Sequence, residues 1–146
     1  MMQYRTRKMI MPGHLNGAGT LFGGQALAWI DEEAAIFAAC QMSTRRLVTA
    51  AMSSIAFLAP AHQGDIIEIG ADLVKVGRTS ITVCCSIRNK TTGMDIVKVA
   101  EIVMVCLGED GKPTPHGLTE KREVALQVNQ PSATPVDDHV ERPVGV

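Results

Sequence analysis

Aromatic side chains are scarce: one Trp, one Tyr and three Phe among 146 residues, so aliphatic side chains and alanine must fill the core. The four cysteines, Cys40, Cys84, Cys85 and Cys106, form no C-x-x-C pair and have no histidine at ligand spacing, which argues against a zinc site. They read instead as small hydrophobes in a reducing cytosol. Neither charge sign dominates, and a net charge of -1 gives no electrostatic reason to expect a nucleic-acid or anionic-membrane partner. No apolar run approaches the length of a membrane span. The first eleven residues, with Arg5, Arg7 and Lys8 spaced through them, are too polar for a signal peptide. A soluble, cytoplasmic protein is expected.

What is present is the material of one ordinary domain. A hydrophobic share of 46% against 20% charged residues is globular, and 146 residues are too few for two domains of usual size. Residues 3–11 read as a first strand ending at Pro12, and the glycine-rich stretch 12–23 reads as a loop. Residues 24–40 contain no breaker after Gly24 and are apolar on nearly every face except at Asp31, Glu32 and Glu33, which describes a buried or wrapped helix. Strands are expected over 47–58, 65–76, 79–90 and 95–107. In the second of these Ile67, Ile69, Ala71 and Leu73 oppose Glu68, Gly70 and Asp72. In the last, Val97, Val99, Val103, Val105 and Leu107 are expected on one side. Short connections at 61–64, 76–78 and 91–94 suit antiparallel hairpins. The class is α+β: an antiparallel sheet wrapped around one long helix. A short helix is expected near 119–128, followed by a proline-rich tail that would be disordered alone.

Four features carry candidate chemistry. Gly23-Gly24 opens the helix, where glycine lets a ligand approach the backbone and the free N–H groups of the first turn attract negative charge. A carbonyl placed there would develop its oxyanion against those donors. Asp31 lies two turns on, in a stripe with Leu27, Ala34, Ala35 and Ala38, where a carboxylate is costly to bury without a partner or a task. The alternative is a solvated acidic patch with Glu32 and Glu33, although three consecutive acids spread over about 200° of helix surface and cannot share one environment. Asn16 reads by itself as a turn residue. The run Gly77, Arg78, Thr79 and Ser80 is either a plain hairpin turn or a phosphate-binding one, with a guanidinium and two hydroxyls.

The run Asn16-x-x-Gly19-x-x-Phe22-Gly23-Gly24, then Asp31-Glu32-x-Ala34, resembles the bacterial hotdog acyl-CoA thioesterases of the YciA type and each half of the eukaryotic cytosolic acyl-CoA hydrolases. Phe57-Leu58-x-Pro60-x-x-x-Gly64-Asp65 and Val76-Gly77-Arg78-Thr79-Ser80 occupy matching places downstream, so the resemblance covers about residues 5–112. It implies a hotdog fold of about five antiparallel strands around the helix, in residues 1–112, with 113–146 as an extension. It implies hydrolysis of acyl-CoA, homodimers that usually form trimers of dimers, and no metal or cofactor beyond the CoA of the substrate. In that family Asp31 would be general base or nucleophile. Asn16 of the facing subunit would position water or carbonyl, with Gly24 at the oxyanion. Gly77, Arg78, Thr79 and Ser80 would lie near the CoA. Two positions depart: His14 stands where many relatives have an acidic or other polar residue, and Arg78 replaces a small residue in some. Both bear on substrate preference more than on reaction type.

Two other functions compete. A CoA-linked hydratase would call for an Asp and His pair along the helix, and no histidine lies between His14 and His62. A non-catalytic acyl-CoA sensor would carry a DNA-binding or effector segment, for which the sequence leaves no room.

Overall fold

The computed structural model describes residues 1–123. Strand β1 (Gln3–Met9) is followed by a single 3-10 turn and by helix α1 (Gly23–Met42). Strands β2 (Leu47–Phe57), β3 (Ile66–Val76), β4 (Ser80–Asn89) and β5 (Asp95–Cys106) complete one antiparallel sheet in the order β1-β3-β4-β5-β2. This is the hotdog arrangement, α+β, with the helix packed against β2, β3, β4 and β5.

Six alanines favour α1, and no run of β-branched residues interrupts it. It starts after Phe22, whose backbone is extended, and stops at Ser43, which turns left-handed (φ 53°) and bonds its N–H to the Ala39 carbonyl. Ala26, Trp29, Ile30, Glu33, Ala34, Ala38, Gln41 and Met42 are buried, a spacing of three and four that marks one stripe. The helix is therefore covered on one side only within the protomer. Ile36 remains 54% exposed, contrary to the expectation of a helix wrapped all round. Small side chains at Ala34 and Ala38 let the helix approach Ile81, Val83 and Ile87 of β4 and Val97, Val99 and Ile102 of β5, all in the same core. Each such Ile or Val, fully buried, contributes about 1.5–3 kcal/mol.

Three expectations are corrected. The two faces of β5 exchange partway along it: Val97 and Val99 are buried, then Ile102, Met104 and Cys106, while Val103 and Val105 are only partly covered. The cause is a bulge, because Val83 pairs with Ile102 but Cys85 pairs with Val99, so β5 takes three steps where β4 takes two. Next, 61–64 is not a hairpin. The chain from Phe57 to Ile66 crosses from one edge of the sheet to the strand beside the other edge. Bonds from Leu58 N–H to the Ile96 carbonyl (2.8 Å), Leu21 N–H to Ala61 (2.8 Å) and Gly64 N–H to Ile10 (2.8 Å) fix it across the end of the fold. Lastly, Glu68 and Gly70 of β3 are buried together with Ile67, Ile69 and Ala71. Arg88 stacks over the Tyr4 ring at 3.6 Å and, with Arg7, closes over Glu68. Gly70 leaves room for Tyr4 and the Gln3 carbonyl, which a Cβ would meet at 2.9–3.0 Å.

After β5 the chain turns back through Pro113 and runs irregularly over 114–123. Residues 119–123 are thus not helical as expected, and 124–128 and the proline-rich tail lie outside the described residues.

Candidate active site

The loop before α1 is held by Asn16. Its Oδ1 accepts the N–H groups of Ala18 (3.0 Å) and Thr20 (3.1 Å), and its Nδ2 donates to Thr20 Oγ1 (3.0 Å). Gly19 takes φ 77°, the left-handed conformation that glycine adopts without strain. Phe22 N–H bonds to the His14 carbonyl (2.9 Å), which aims the chain into α1. Ala26 is the first residue of the helix to bond back, to Phe22 at 3.1 Å. The N–H groups of Gly23, Gly24 and Gln25 precede it and have no carbonyl one turn behind them in the helix. A Cβ on Gly23 would press on the Phe57 ring at 3.2 Å, and one on Gly24 would meet the Phe22 ring at 2.7 Å. Asn16, Thr20, Gly23, Ala26, Phe57 and Pro60 line an open cleft of about 440 Å³ at this end of the helix.

Asp31 stands seven residues beyond Gly24, roughly 10 Å along the axis. The three adjacent acids separate as the helical rotation requires, but the buried one is Glu33, 9% exposed, whose Oε2 accepts from Thr6 Oγ1 at 2.6 Å. Asp31 is half-buried and Glu32 exposed. Asp31 Oδ1 accepts the hydroxyl of Thr49 on β2 at 2.5 Å, and the Thr49 Oγ1 also lies 3.5 Å from Met104 Sδ. Thr49 escaped the sequence reading, and no sequence signal marks it: its place depends on the register of β2 against β5 and on how the helix crosses the strand.

Thr49 pairs with Met104, Met104 with Ile81, and Ile81 adjoins Ser80, so Asp31 belongs to the end of the sheet that carries the 77–80 turn. In that turn Gly77 N–H bonds to the Ser80 carbonyl (2.8 Å), and Arg78 is exposed. The turn also supports the returning chain: His116 N–H reaches the Arg78 carbonyl (3.3 Å) and its ring Nε2 lies 3.0 Å from the Ser80 carbonyl. The Asn16 cleft lies at the other end, where Phe57 pairs with Val97 and Val97 with Ile87. Seven residues of β4 separate Ser80 from Ile87, roughly 24 Å. Within one protomer the fold thus groups Asn16 with Gly23 and Gly24, and Asp31 with the 77–80 turn. Among the described residues the Asn16 side chain bonds only within its own loop.

The two edges of the sheet differ. β1 carries Arg5, Arg7 and Lys8, which discourage strand addition. β2 offers eleven residues without a charge or a proline, and Val48 (46%), Ile55 (39%) and Phe57 (58%) are exposed on it. No helix of the described residues is long and apolar enough to cross a membrane.

Comparison with known proteins gives this geometry its family. An uncharacterized acyl-CoA thioester hydrolase of Zymomonas mobilis is 42% identical over 77 residues, which are 53% of this chain and 51% of the relative, so the match spans about half the length of that protein. The acyl-CoA thioester hydrolase YciA of Salmonella typhimurium is 31% identical over 115 residues, covering 75% of this chain and 86% of its own. The crystal structure of a hexameric thioesterase from Yersinia pestis superposes with a TM-score of 0.74 at 26% identity, over 80% of this chain and 97% of that one. The family model described as thioesterase superfamily matches residues 18–95, a stretch that runs from the loop of Asn16 through Gly23-Gly24, Asp31, Thr49 and the 77–80 turn to the start of β5. Fold, helix start and sequence agree, and the chain belongs to the thioesterase superfamily.

Proposed function

We propose that the protein hydrolyses acyl-CoA thioesters to free fatty acid and CoA, in sites built where two subunits meet. The observation that carries this reading is the Asp31–Thr49 bond: the hydroxyl fixes one carboxylate oxygen on the rim of an unpaired edge strand and leaves the other free to act. In the proposed reaction Asp31 takes the proton of a water that attacks the thioester carbonyl, or attacks the carbonyl itself to form an acyl-aspartyl anhydride that water then hydrolyses to the free acid. The facing subunit's loop then supplies Asn16 to position water or carbonyl, and the N–H of Gly24 receives the oxyanion. Collapse of the tetrahedral species breaks the C–S bond. CoA leaves as a thiolate, whose conjugate thiol is acidic enough (pKa about 8.5) that no strong general acid is needed.

The partition of site residues between the two ends of one protomer supports a shared site. So does the β2 edge, whose apolar, uncharged run suits pairing with a second copy about a two-fold axis. The hexameric Yersinia neighbour supports further assembly of such dimers into threes. Gly77, Arg78, Thr79 and Ser80 are proposed to hold the CoA end, with Arg78 on a phosphate. CoA enters as part of the substrate, and the reaction as written needs no cofactor. Residues 1–112 carry the activity and 113–146 extend it. Four free thiols among the described residues suit a reducing compartment, so the cytoplasm is the proposed location.

Release of free thiol from acyl-CoAs of graded chain length tests the proposal. Turnover is expected from the wild type, and a fall of roughly 10²–10⁴-fold from Asp31→Asn. Binding of acyl-CoA without thiol release would reject hydrolysis and leave a binding module. Release at wild-type rate from Asp31→Asn would remove Asp31 from the chemistry.

A further inference from the structure

The 77–80 turn is held by more than its own hairpin. Cys106 N–H, at the end of β5, bonds to the Thr79 carbonyl (2.8 Å). The carbonyls on either side are both met by one residue of the returning chain. His116 N–H reaches the Arg78 carbonyl (3.3 Å), and the His116 ring Nε2 lies 3.0 Å from the Ser80 carbonyl. Ser80 also accepts the Gly77 N–H (2.8 Å), so both lone pairs of its carbonyl are used. A bonded carbonyl fixes its peptide plane, and with it the direction of the next N–H. Three successive planes of the turn are set in this way, two of them by His116.

The ring itself is fixed in turn. Its Nδ1 accepts the Leu118 N–H at 2.9 Å, so the ring proton is on Nε2, where it donates to Ser80. Gly117 takes φ 74°, a left-handed step that brings the Leu118 N–H back to the ring. Leu118 is 7% exposed and packs in the core. Half-buried His116 therefore links a core leucine to the backbone of the turn.

We propose that His116, in its Nε2–H form, is a positioning residue for CoA binding. It holds the backbone of the turn so that Arg78, Thr79 and Ser80 present their guanidinium and hydroxyls to the nucleotide end of the substrate. This rests on the reading of that turn as the CoA end. KM and kcat of the full chain for an acyl-CoA, and for the matching acyl-pantetheine without the nucleotide, test it. His116→Ala should raise KM for the acyl-CoA about fivefold, as one lost hydrogen bond would, with kcat and the pantetheine KM unchanged. His116→Gln places an amide N–H where Nε2 stands and should restore most of the affinity. His116→Asn places its amide near Nδ1, short of Ser80, and should not. The contrast between Gln and Asn decides the matter even where His116→Ala fails to fold. Arg78→Ala, measured alongside, separates two kinds of failure. A raised acyl-CoA KM in Arg78→Ala beside an unchanged one in His116→Ala would overturn the positioning role and leave the turn as the CoA end. No change in either would overturn both. Equal losses on the two substrates, or equal recovery by Gln and Asn, would make His116 a structural prop and overturn the proposal.

Discussion

Thr49 Oγ1 donates to Asp31 Oδ1 at 2.5 Å, and this bond ties the central helix to the free edge strand of the sheet. It gives the carboxylate one rotamer and one bonded oxygen, and presents the other at the rim where a second subunit would arrive. The hydroxyl is thus expected to position the proposed catalytic carboxylate without touching the substrate carbonyl.

Thr49→Val keeps the shape of the side chain and removes the donor. A loss of about 1–1.5 kcal/mol of orientation corresponds to a fall of roughly tenfold in kcat with little change in KM. Thr49→Ser retains the hydroxyl and should restore most of the rate. Steady-state kinetics on the three proteins check this, and a wild-type kcat in Thr49→Val would sink the positioning role.

Arg78 is exposed on the 77–80 turn, and in an acyl-CoA the phosphates are remote from the thioester itself. If its guanidinium meets a CoA phosphate, Arg78→Ala should raise KM about fivefold to tenfold and leave kcat nearly unchanged. The defect should vanish with a pantetheine thioester that lacks the nucleotide. Equal losses on both substrates would take Arg78 out of the binding site.

Glu68, 5% exposed, sits between Arg7 and Arg88. Burial alone would raise its carboxyl, but hydrogen bonds from Arg88 and Arg7, with the charges of Arg88 and Lys90, outweigh it and hold the group below the ordinary 4.5. A depressed pKa in the folded state means that stabilisation is complete above the ordinary value and is lost as pH falls through the folded one. Wild type should therefore melt above Glu68→Gln near neutrality, and the gap should close as pH drops below about 4. Melting temperatures across that range decide it, and a gap independent of pH would show that Glu68 acts through packing alone.

Much of this was legible in the residues. Breaker-free, alanine-rich sequence located α1 to within two residues at its C-terminus, and period-two alternation found β3 and β4, because each signal is local. The bulge in β5 was not legible, since its second half reads as clean alternation and only the pairing with β4 shows three steps against two. Nor was the place of β2, for nothing within 58–65 says that the chain crosses to the far side of the sheet. At the site, helical rotation separated Asp31, Glu32 and Glu33 correctly. It could not say that β1 would cover Glu33 through Thr6 while β2 left Asp31 half-open. Thr49 lies beyond local reasoning for the same cause.

The shared site is tested most directly by mixing subunits. Asn16→Ala and Asp31→Asn proteins, each expected to be nearly inactive, are dissociated, combined in equal amounts and reassociated, and thiol release from an acyl-CoA is measured. With Asn16 and Asp31 supplied by facing subunits, every mixed dimer holds one site with both residues intact and one with neither. Random pairing makes about half the dimers mixed, so activity should return to roughly a quarter of wild type. If both residues served the site of one subunit, every site would still lack one of them, and verified heterodimers that recover no activity would contradict the account.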